Sequence, residues 1–172
     1  MRYWYEPEAV TEGESMYFPV FIDLSKKQVL VVGAGKIASR RVRTLCSFTG
    51  NTTVVAPQIS QEIRELAVQY PITLDERSFL PEDLEQKDMV LAATDDETLN
   101  RRIASLCKEN NIPVNVCSDQ TLCDFQFPSV VRDGDVVIGI NASGKDHHLV
   151  KKTRQKVEQS ICGERFRSNY ID

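Results

Sequence analysis

The sequence predicts an α/β fold, with a doubly wound and mostly parallel sheet followed by a β-hairpin and a C-terminal helix. Three observations predict it: β-branched runs alternate with helical periodicity, the first run ends in a glycine-rich turn, and a hairpin pattern follows the last α/β unit. The 172 residues suit one domain with a sizeable core, and a composition of 41% hydrophobic and 27% charged residues is typical of globular proteins.

The first strand, its turn and the following helix organise the chain. Val29–Val32 is a β-branched run typical of a strand buried on both faces, and it leads into Gly33 and Gly35. Ala38 fills the third place of the pattern G-x-G-x-x-G/A, which is the Rossmann-like fingerprint of dinucleotide binding. The helix directs unpaired N–H groups at this turn, where a pyrophosphate binds in such folds. The alternative is a turn whose glycines serve packing alone.

The remaining α/β elements follow in the same alternating order. The first helix is expected to end near Gly50, a second to carry Ile59 to Tyr70, and a third to begin at the capping residues Thr94–Asp96. Apolar or alternating runs predict four further strands, at Thr52–Val55, Ile72–Arg77 (on an edge), Met89–Ala93 and Ile112–Val116.

After the fifth strand the pattern becomes antiparallel. Ser129–Arg132 and Asp135–Ile140 flank Asp133 and Gly134, which predicts a hairpin with a type I′ turn. A final helix is expected at Asp146–Cys162.

Three segments are expected from these patterns. Residues 1–15 are acidic where a signal peptide is basic and then apolar, and we expect a flexible extension there. The Rossmann domain is expected at 16–124, and 125–172 holds the hairpin and its helix. From Lys145 to Arg167, seven basic residues stand against three acidic ones within a chain of net charge −4. This basic segment is either a solvated helix face or a field that attracts a polyanion.

Composition also indicates the cellular compartment and excludes some classes of partner. Five cysteines, an odd number without C-x-x-C spacing, indicate reduced thiols and a cytoplasmic protein. No apolar stretch approaches the ~20 residues that cross a bilayer, and we expect neither a membrane nor a nucleic acid as partner. His147 and His148 are adjacent and would point about 100° apart on a helix, so no metal site is predicted.

Ligands of open α/β sheets bind beyond the carboxyl ends of the strands. In the stretch after the fifth strand, Ser118, Asp119 and Asp124 are candidates for proton transfer, and Asp119 can act as a base if partial burial raises its pKa. Alternatively, Ser118 and Asp119 only form an Asx-type turn. No acidic residue stands at the tip of the second strand, so the usual ribose ligand is missing. Three polar stretches converge at this edge: Gly33–Ile37, Thr94–Asp96 and Asn115–Asp124.

The order of these motifs resembles one family. The runs YFPVFIDL, VLVVGAGKIASRR, AATDDETLNRRI, VNVCSDQTLCDFQFPS and VVIGINASGK look like precorrin-2 dehydrogenase, the first module of siroheme synthase, over residues 16–160. The resemblance implies oxidation of the tetrapyrrole precorrin-2 to sirohydrochlorin with NAD, in siroheme synthesis, by a homodimer. Some members also insert ferrous iron.

The resemblance also implies residue roles. In members with the pattern N-V-V-D, the catalytic Asp aligns with Ser118 of this chain. In members with the pattern N-x-x-S-D, which this chain shares, the catalytic Asp corresponds to Asp119. Substrate contacts are expected at Asn115, Ser143 and Lys145. Cofactor contacts are expected at Gly33, Gly35, Lys36, Ile37, Pro57, Gln58, Ile59, Thr94 and Asp95.

The chain departs from the family after its last helix. Members continue into a helical region that helps to form the dimer and cover the substrate, so 125–172 is expected to be a truncated version of that region. The shorter tail makes ferrochelatase activity an open question. Two other functions stay open here: a non-enzymatic NAD(H)-sensing module and a sirohydrochlorin chelatase.

Overall fold

The computed structural model describes residues 17–144 and 146–168. These residues form two compact units. The sheet unit comprises Ile22–Phe127, and the hairpin unit comprises the described residues of Met1–Phe21 and Pro128–Asp172. The extension expected at 1–15 lies outside the described residues, and the domain roles expected for 16–124 and 125–172 stay predictions.

The sheet unit confirms the doubly wound, parallel architecture. Its strands lie in the order β3-β2-β1-β4-β5, every neighbouring pair is parallel, and β3 is on an edge as expected. Two short 3₁₀ helices, which the sequence patterns did not predict, follow β3 and β5. The elements are β1 (Val29–Val32), α1 (Lys36–Leu45), β2 (Thr52–Val55), α2 (Gln61–Gln69), β3 (Ile72–Asp75), a 3₁₀ helix at Pro81–Leu84, β4 (Met89–Ala92), α3 (Glu97–Glu109), β5 (Val114–Val116) and a 3₁₀ helix at Gln120–Leu122.

Helices cover both faces of this sheet. The central strands β1 and β4 are buried along their whole length, which explains their continuous apolar sequence. Val42 of α1 and Ile63 of α2 pack in the core on one face, and Ile103 of α3 packs in the core on the other. Ala38 is fully buried on the first of these faces, as expected for the helix-packing place of the glycine pattern.

Several element limits differ from the predicted ones, for example the end of β3 at Asp75 rather than Arg77, and two of the differences have a clear local reason. Helix α1 ends at Leu45 rather than near Gly50, because the chain tightens after it and Phe48 N bonds to Leu45 O. Strand β5 begins at Val114, because Ile112 N is bonded back to Cys107 O at the end of α3. Neither difference moves the carboxyl ends of the strands.

The hairpin unit consists of an antiparallel hairpin and one helix. The hairpin is formed by β6 (Ser129–Asp133) and β7 (Val136–Ile140), and α4 (His147–Ser168) packs against both strands. Helix α4 extends beyond the predicted end at Cys162. It has 22 residues, but no helix in the described part of the chain is both long and apolar enough to cross a membrane.

The predicted type I′ turn of the hairpin is wrong. Asp133 pairs with Val136 in the ladder, so the two loop residues are Gly134 and Asp135. Of these two, only Gly134 has a positive φ, at +58°. A glycine with positive φ at the first loop position is the pattern of a type II′ turn.

Candidate nucleotide-binding and catalytic site

The structure places the three predicted stretches at the carboxyl edge of the sheet. Gly33 follows β1, Thr94 follows β4 and Ser118 follows β5, and these strands are consecutive neighbours. The chain winds from β1 to β2 on one side and from β4 to β5 on the other, so the switch point lies between β1 and β4. The crevice outside this point is where doubly wound sheets bind their ligands.

Gly33 is required for packing. Its φ is +104°, and a Cβ there would lie 2.4 Å from Ala93 O and 2.9 Å from Thr94 N. Only glycine combines this backbone conformation with such a close approach. At Gly33, therefore, the packing alternative is sufficient to explain the residue.

Gly35 has no such packing role. Its φ of −78° is open to any residue, and a Cβ would meet nothing within 4 Å. Gly35 is the N-cap of α1 but supplies no side-chain hydrogen bond to the first turn. Because open space and uncapped N–H groups coincide here, the position fits the close approach of an anionic group such as a pyrophosphate.

The other two helices of the sheet unit begin with side-chain caps. Ser60 accepts a hydrogen bond from Ile63 N at the start of α2, and Asp96 accepts one from Leu99 N at the start of α3. Helix α1 has neither a side-chain cap nor an acidic residue in its first turn. Lys36 and Ile37, its first residues, are exposed. The start of α1 thus keeps its positive dipole end open to a ligand.

In the loop after β2, one of the three predicted cofactor residues has a side chain that is closed to a ligand. Pro57 and Gln58 are exposed, whereas the side chain of Ile59 is buried in the core. Cofactor contacts at these three residues stay predictions, as do those at Gly33, Gly35, Lys36, Ile37, Thr94 and the exposed Asp95.

An acidic residue does stand beside this loop, although the sequence analysis found none. Glu76, directly after β3, accepts hydrogen bonds from Ile59 N at 3.3 Å and from Arg64 at 2.5 Å. The bond from Arg64, and then that from Ile59, holds the pKa of Glu76 below its usual value. The register that pairs Val55 with Asp75 puts the residues after β2 and β3 at one edge, so strand order was the missing signal.

A buried amide connects two of the loops. Asn100 of α3 is fully buried; its Oδ1 accepts from Thr94 Oγ1 at 2.7 Å, and its Nδ2 donates to Thr94 O at 3.0 Å. The same Nδ2 donates to Ser118 Oγ at 3.1 Å. Asn100 therefore holds the loop after β4 against the loop after β5. Sequence analysis missed it because one polar residue in a helical pattern carries no local signal.

Asp119 forms the Asx-type turn that the sequence analysis offered as an alternative. Its Oδ1 accepts from Thr121 N at 3.0 Å and from Thr121 Oγ1 at 2.6 Å. Its Oδ2 lies 3.1 Å from Arg101 Nη2, and the side chain is 22% exposed. The bonds from Thr121, followed by the charge of Arg101, lower the pKa of Asp119. The expected rise of this pKa through burial is therefore wrong.

Two other predicted residues of this loop are used structurally. Asp124 accepts from Val114 N at 2.9 Å, at the start of β5 rather than at its carboxyl end. Asn115 is 3% exposed, and its amide donates to Phe125 O at 2.8 Å. Substrate contact by Asn115 stays a prediction, while Ser118 is exposed beside Asp119.

The predicted substrate residues of the hairpin unit are only partly described. Ser143 has a φ of +51° in the turn before α4, and Lys145 lies outside the described residues. On α4, Lys151 and Lys152 are exposed, and Arg154 pairs with Glu158 at 3.5 Å. Roles of these groups toward a polyanion stay predictions.

The described cysteines give no sign of a metal site. Cys46, Cys107, Cys117 and Cys123 are free thiols, and burial raises the pKa of Cys107 to about 12. No group of three or more His, Cys, Asp or Glu among the described residues is arranged to hold a metal ion.

A parallel sheet of this order, with an open glycine turn at its switch point, defines a Rossmann-type nucleotide-binding domain. The chain belongs to the family described as "Putative NAD(P)-binding", whose model matches residues 20–129.

Comparisons with known proteins agree with the resemblance found in the sequence. The siroheme synthase of Psychrobacter sp. (strain PRwf-1) is 41% identical over 144 residues, which is 84% of this chain and 30% of that protein. The siroheme synthase of Pseudoalteromonas atlantica is 39% identical over 145 residues, 84% of this chain and 31% of that protein. The chain thus spans about 30% of the length of these relatives. A solved structure named "SirC, precorrin-2 dehydrogenase" superposes with a TM-score of 0.74 and 28% identity, over 84% of this chain and 70% of that one.

The two glycines should separate stability from nucleotide binding. We expect Gly33→Ala to lower the free energy of unfolding by about 2 kcal/mol or more, because the new Cβ meets the Ala93 carbonyl. Gly35→Ala should cost less than about 1 kcal/mol of stability, yet weaken NAD binding about tenfold by occupying the phosphate space. Urea unfolding and calorimetric titration with NAD measure the two effects. Wild-type NAD affinity in folded Gly35→Ala would remove the phosphate site from this turn.

The buried amide should matter more than its exposed counterpart on the same helix. Asn100→Ala removes the hydrogen bonds that the buried amide makes to Thr94 and Ser118, and we expect a loss of about 2 kcal/mol in the free energy of unfolding. The matched control is Asn110→Ala at the exposed end of α3, which should cost under about 1 kcal/mol. Similar losses in both variants, measured by urea unfolding, would show that the Asn100 network does not hold the loops.

Proposed function

We propose that the chain is a NAD-dependent precorrin-2 dehydrogenase, which oxidises precorrin-2 to sirohydrochlorin in siroheme synthesis. The observation that carries this proposal is the pairing of an open glycine turn at α1 with the Asp119 loop at the same sheet edge. Asn100 links the two sides of that edge through Thr94 and Ser118. Relatives named siroheme synthase and a structure named precorrin-2 dehydrogenase support the choice of substrate.

The reaction removes one hydride and one proton from precorrin-2, so the site needs an acceptor for each. A bound NAD would supply the acceptor for the hydride. The uncapped first turn of α1 and the exposed Lys36 would hold its phosphates. Asp119 accepts the proton at Oδ2, because Oδ1 is bonded to Thr121. A lowered pKa keeps this carboxylate ionised at neutral pH, and its partial exposure lets the proton pass to solvent.

The proposed cofactor is NAD rather than NADP. Glu76 lies beside the loop after β2, the place where Rossmann-type folds hold the adenosine ribose with an acidic residue. Both of its hydrogen bonds use Oε1, so Oε2 is available to a ribose hydroxyl. Its charge disfavours a 2′-phosphate, and Arg64 is already paired with it.

We further propose a cytoplasmic homodimer in which 125–172 contributes to the subunit contact and to substrate cover. The free thiols of Cys46, Cys107, Cys117 and Cys123 support a reducing compartment. Phe18 and Phe21, in the hairpin unit, are 85% and 75% exposed, and large apolar side chains left in solvent are typical of an interface.

An anaerobic assay with precorrin-2 tests the function. Wild-type protein with NAD should form sirohydrochlorin, followed by absorbance, and Asp119→Ala should bind NAD normally but turn over about a hundredfold more slowly. Ferrous iron is added after oxidation to detect metal insertion. NAD binding with no tetrapyrrole turnover in the wild type would favour a sensing module. Metal insertion without NAD would favour a chelatase instead.

The same assay has a pH signature. Because Thr121 lowers the pKa of Asp119, the acid limb of kcat/KM should lie below the usual Asp value of about 3.9. Thr121→Val removes the hydroxyl bond, so this limb should move to higher pH, whereas Thr121→Ser should leave it in place. An acid limb that Thr121→Val does not move would place the proton acceptor elsewhere.

Cofactor preference should depend on the charge of Glu76. Glu76→Gln keeps an acceptor for Ile59 N but removes the negative charge, and we expect the NAD:NADP ratio of kcat/KM to fall about tenfold, or ~1.4 kcal/mol. The control is Glu65→Gln, an exposed acid on α2 that accepts from Gln61. An unchanged ratio in Glu76→Gln would separate this residue from ribose recognition.

A further inference from the structure

The ion pair between Arg101 and Asp119 occupies the oxygen that the proposed reaction needs. Oδ1 of Asp119 is bonded to both the amide and the hydroxyl of Thr121, which fixes the loop. Oδ2 is the atom left for a proton, yet Arg101 Nη2 lies 3.1 Å from it. The positive charge of Arg101 opposes protonation of Oδ2, so proton transfer becomes more favourable when Arg101 moves away or pairs with another anion.

The side chains of Arg101 and Asp119 differ in how freely they can move. The Arg101 side chain is 62% exposed and extends from the second turn of α3, whereas the Asp119 side chain is 22% exposed and held by its turn. An exposed ion pair between a long side chain and a carboxylate contributes little in water, since solvent screens it. The guanidinium is thus the partner that can be exchanged at low cost.

The proposed substrate brings its own carboxylates to this edge. Precorrin-2 bears several acidic side chains, and an Arg guanidinium binds a carboxylate through two parallel hydrogen bonds. When the tetrapyrrole covers the loop and excludes water, such a pair becomes stronger than it is in solvent. Exchange of Asp119 for a substrate carboxylate keeps Arg101 paired throughout.

We propose that Arg101 is a substrate-carboxylate ligand which Asp119 holds in the free protein and releases when the tetrapyrrole binds. This inference rests on the proposed function. Binding of the substrate then frees Oδ2 of Asp119 from Arg101, so that the carboxylate becomes a better proton acceptor when its substrate is in place. Arg101 stays charged, and the proton passes from the tetrapyrrole to Asp119 as in the reaction above.

The exchange predicts opposite effects for the two partners. Arg101→Ala removes the ligand and should raise the KM for precorrin-2 about tenfold, with the affinity for NAD unchanged. Arg101→Lys keeps the positive charge but cannot form the two parallel hydrogen bonds, so its KM should lie between those of wild type and Arg101→Ala. Asp119→Asn should abolish turnover but bind sirohydrochlorin several-fold more tightly, because a competing anion is gone and Asn still accepts from Thr121. When Asp119→Asn is combined with Arg101→Ala, this gain in affinity for sirohydrochlorin should vanish.

The matched control is Lys108→Ala, which removes one exposed positive charge from the last turn of the same helix. It should leave the KM within about twofold of wild type, whereas a general loss of positive charge would affect both variants alike. The inference is overturned if Arg101→Ala matches Lys108→Ala, or if Asp119→Asn fails to tighten sirohydrochlorin. Wild-type protein that neither oxidises precorrin-2 nor binds sirohydrochlorin overturns the proposed function, and the inference with it.

Discussion

The contact of Gly33 with the backbone of Ala93 and Thr94 is the constraint on which the site depends. At 2.4 Å from a would-be Cβ, the Ala93 carbonyl leaves room for a hydrogen atom only. The turn after β1 and the loop after β4 can therefore share one small volume at the switch point of the sheet. Because the two loops meet there, the first turns of α1 and α3 begin beside one crevice and not at separate places on the edge.

Asn100 extends this constraint to the third loop. Thr94, already packed against Gly33, is bonded to Asn100 through its hydroxyl and its carbonyl, and Asn100 reaches Ser118 with the same amide nitrogen. A buried amide whose partners are all present is rigid, whereas the loss of one partner leaves an unpaired polar group in the core. The glycine turn is therefore connected to the Asp119 loop by packing against Thr94 and then by the hydrogen bonds of Asn100.

A feature could be predicted from the sequence when it depends on neighbouring residues, and not when it depends on residues far apart in the chain. The strand at Val29–Val32 and the turn at Gly35 can be predicted from neighbouring residues alone, because apolar runs and glycine turns act within a few residues. Asn100 and Glu76 are not, since their roles depend on which strand lies next to which in the finished sheet. The same holds for Asp119, where the residues alone allowed either a base or an Asx turn and the structure contains the turn.

The lowered pKa of Asp119 is compatible with its proposed role as proton acceptor in the proposed oxidation. Loss of a hydride leaves the tetrapyrrole positively charged, and a proton on such a cation is far more acidic than one on the neutral substrate. A weak base is then sufficient, provided that it is ionised and fixed in place. The bonds from Thr121 meet both conditions, since they hold the carboxylate and favour its charged form. In the proposed reaction the fixed negative charge would also stabilise the cation as it forms, so the hydrogen bonds that weaken Asp119 as a base would hold it in place as a preorganised counter-charge.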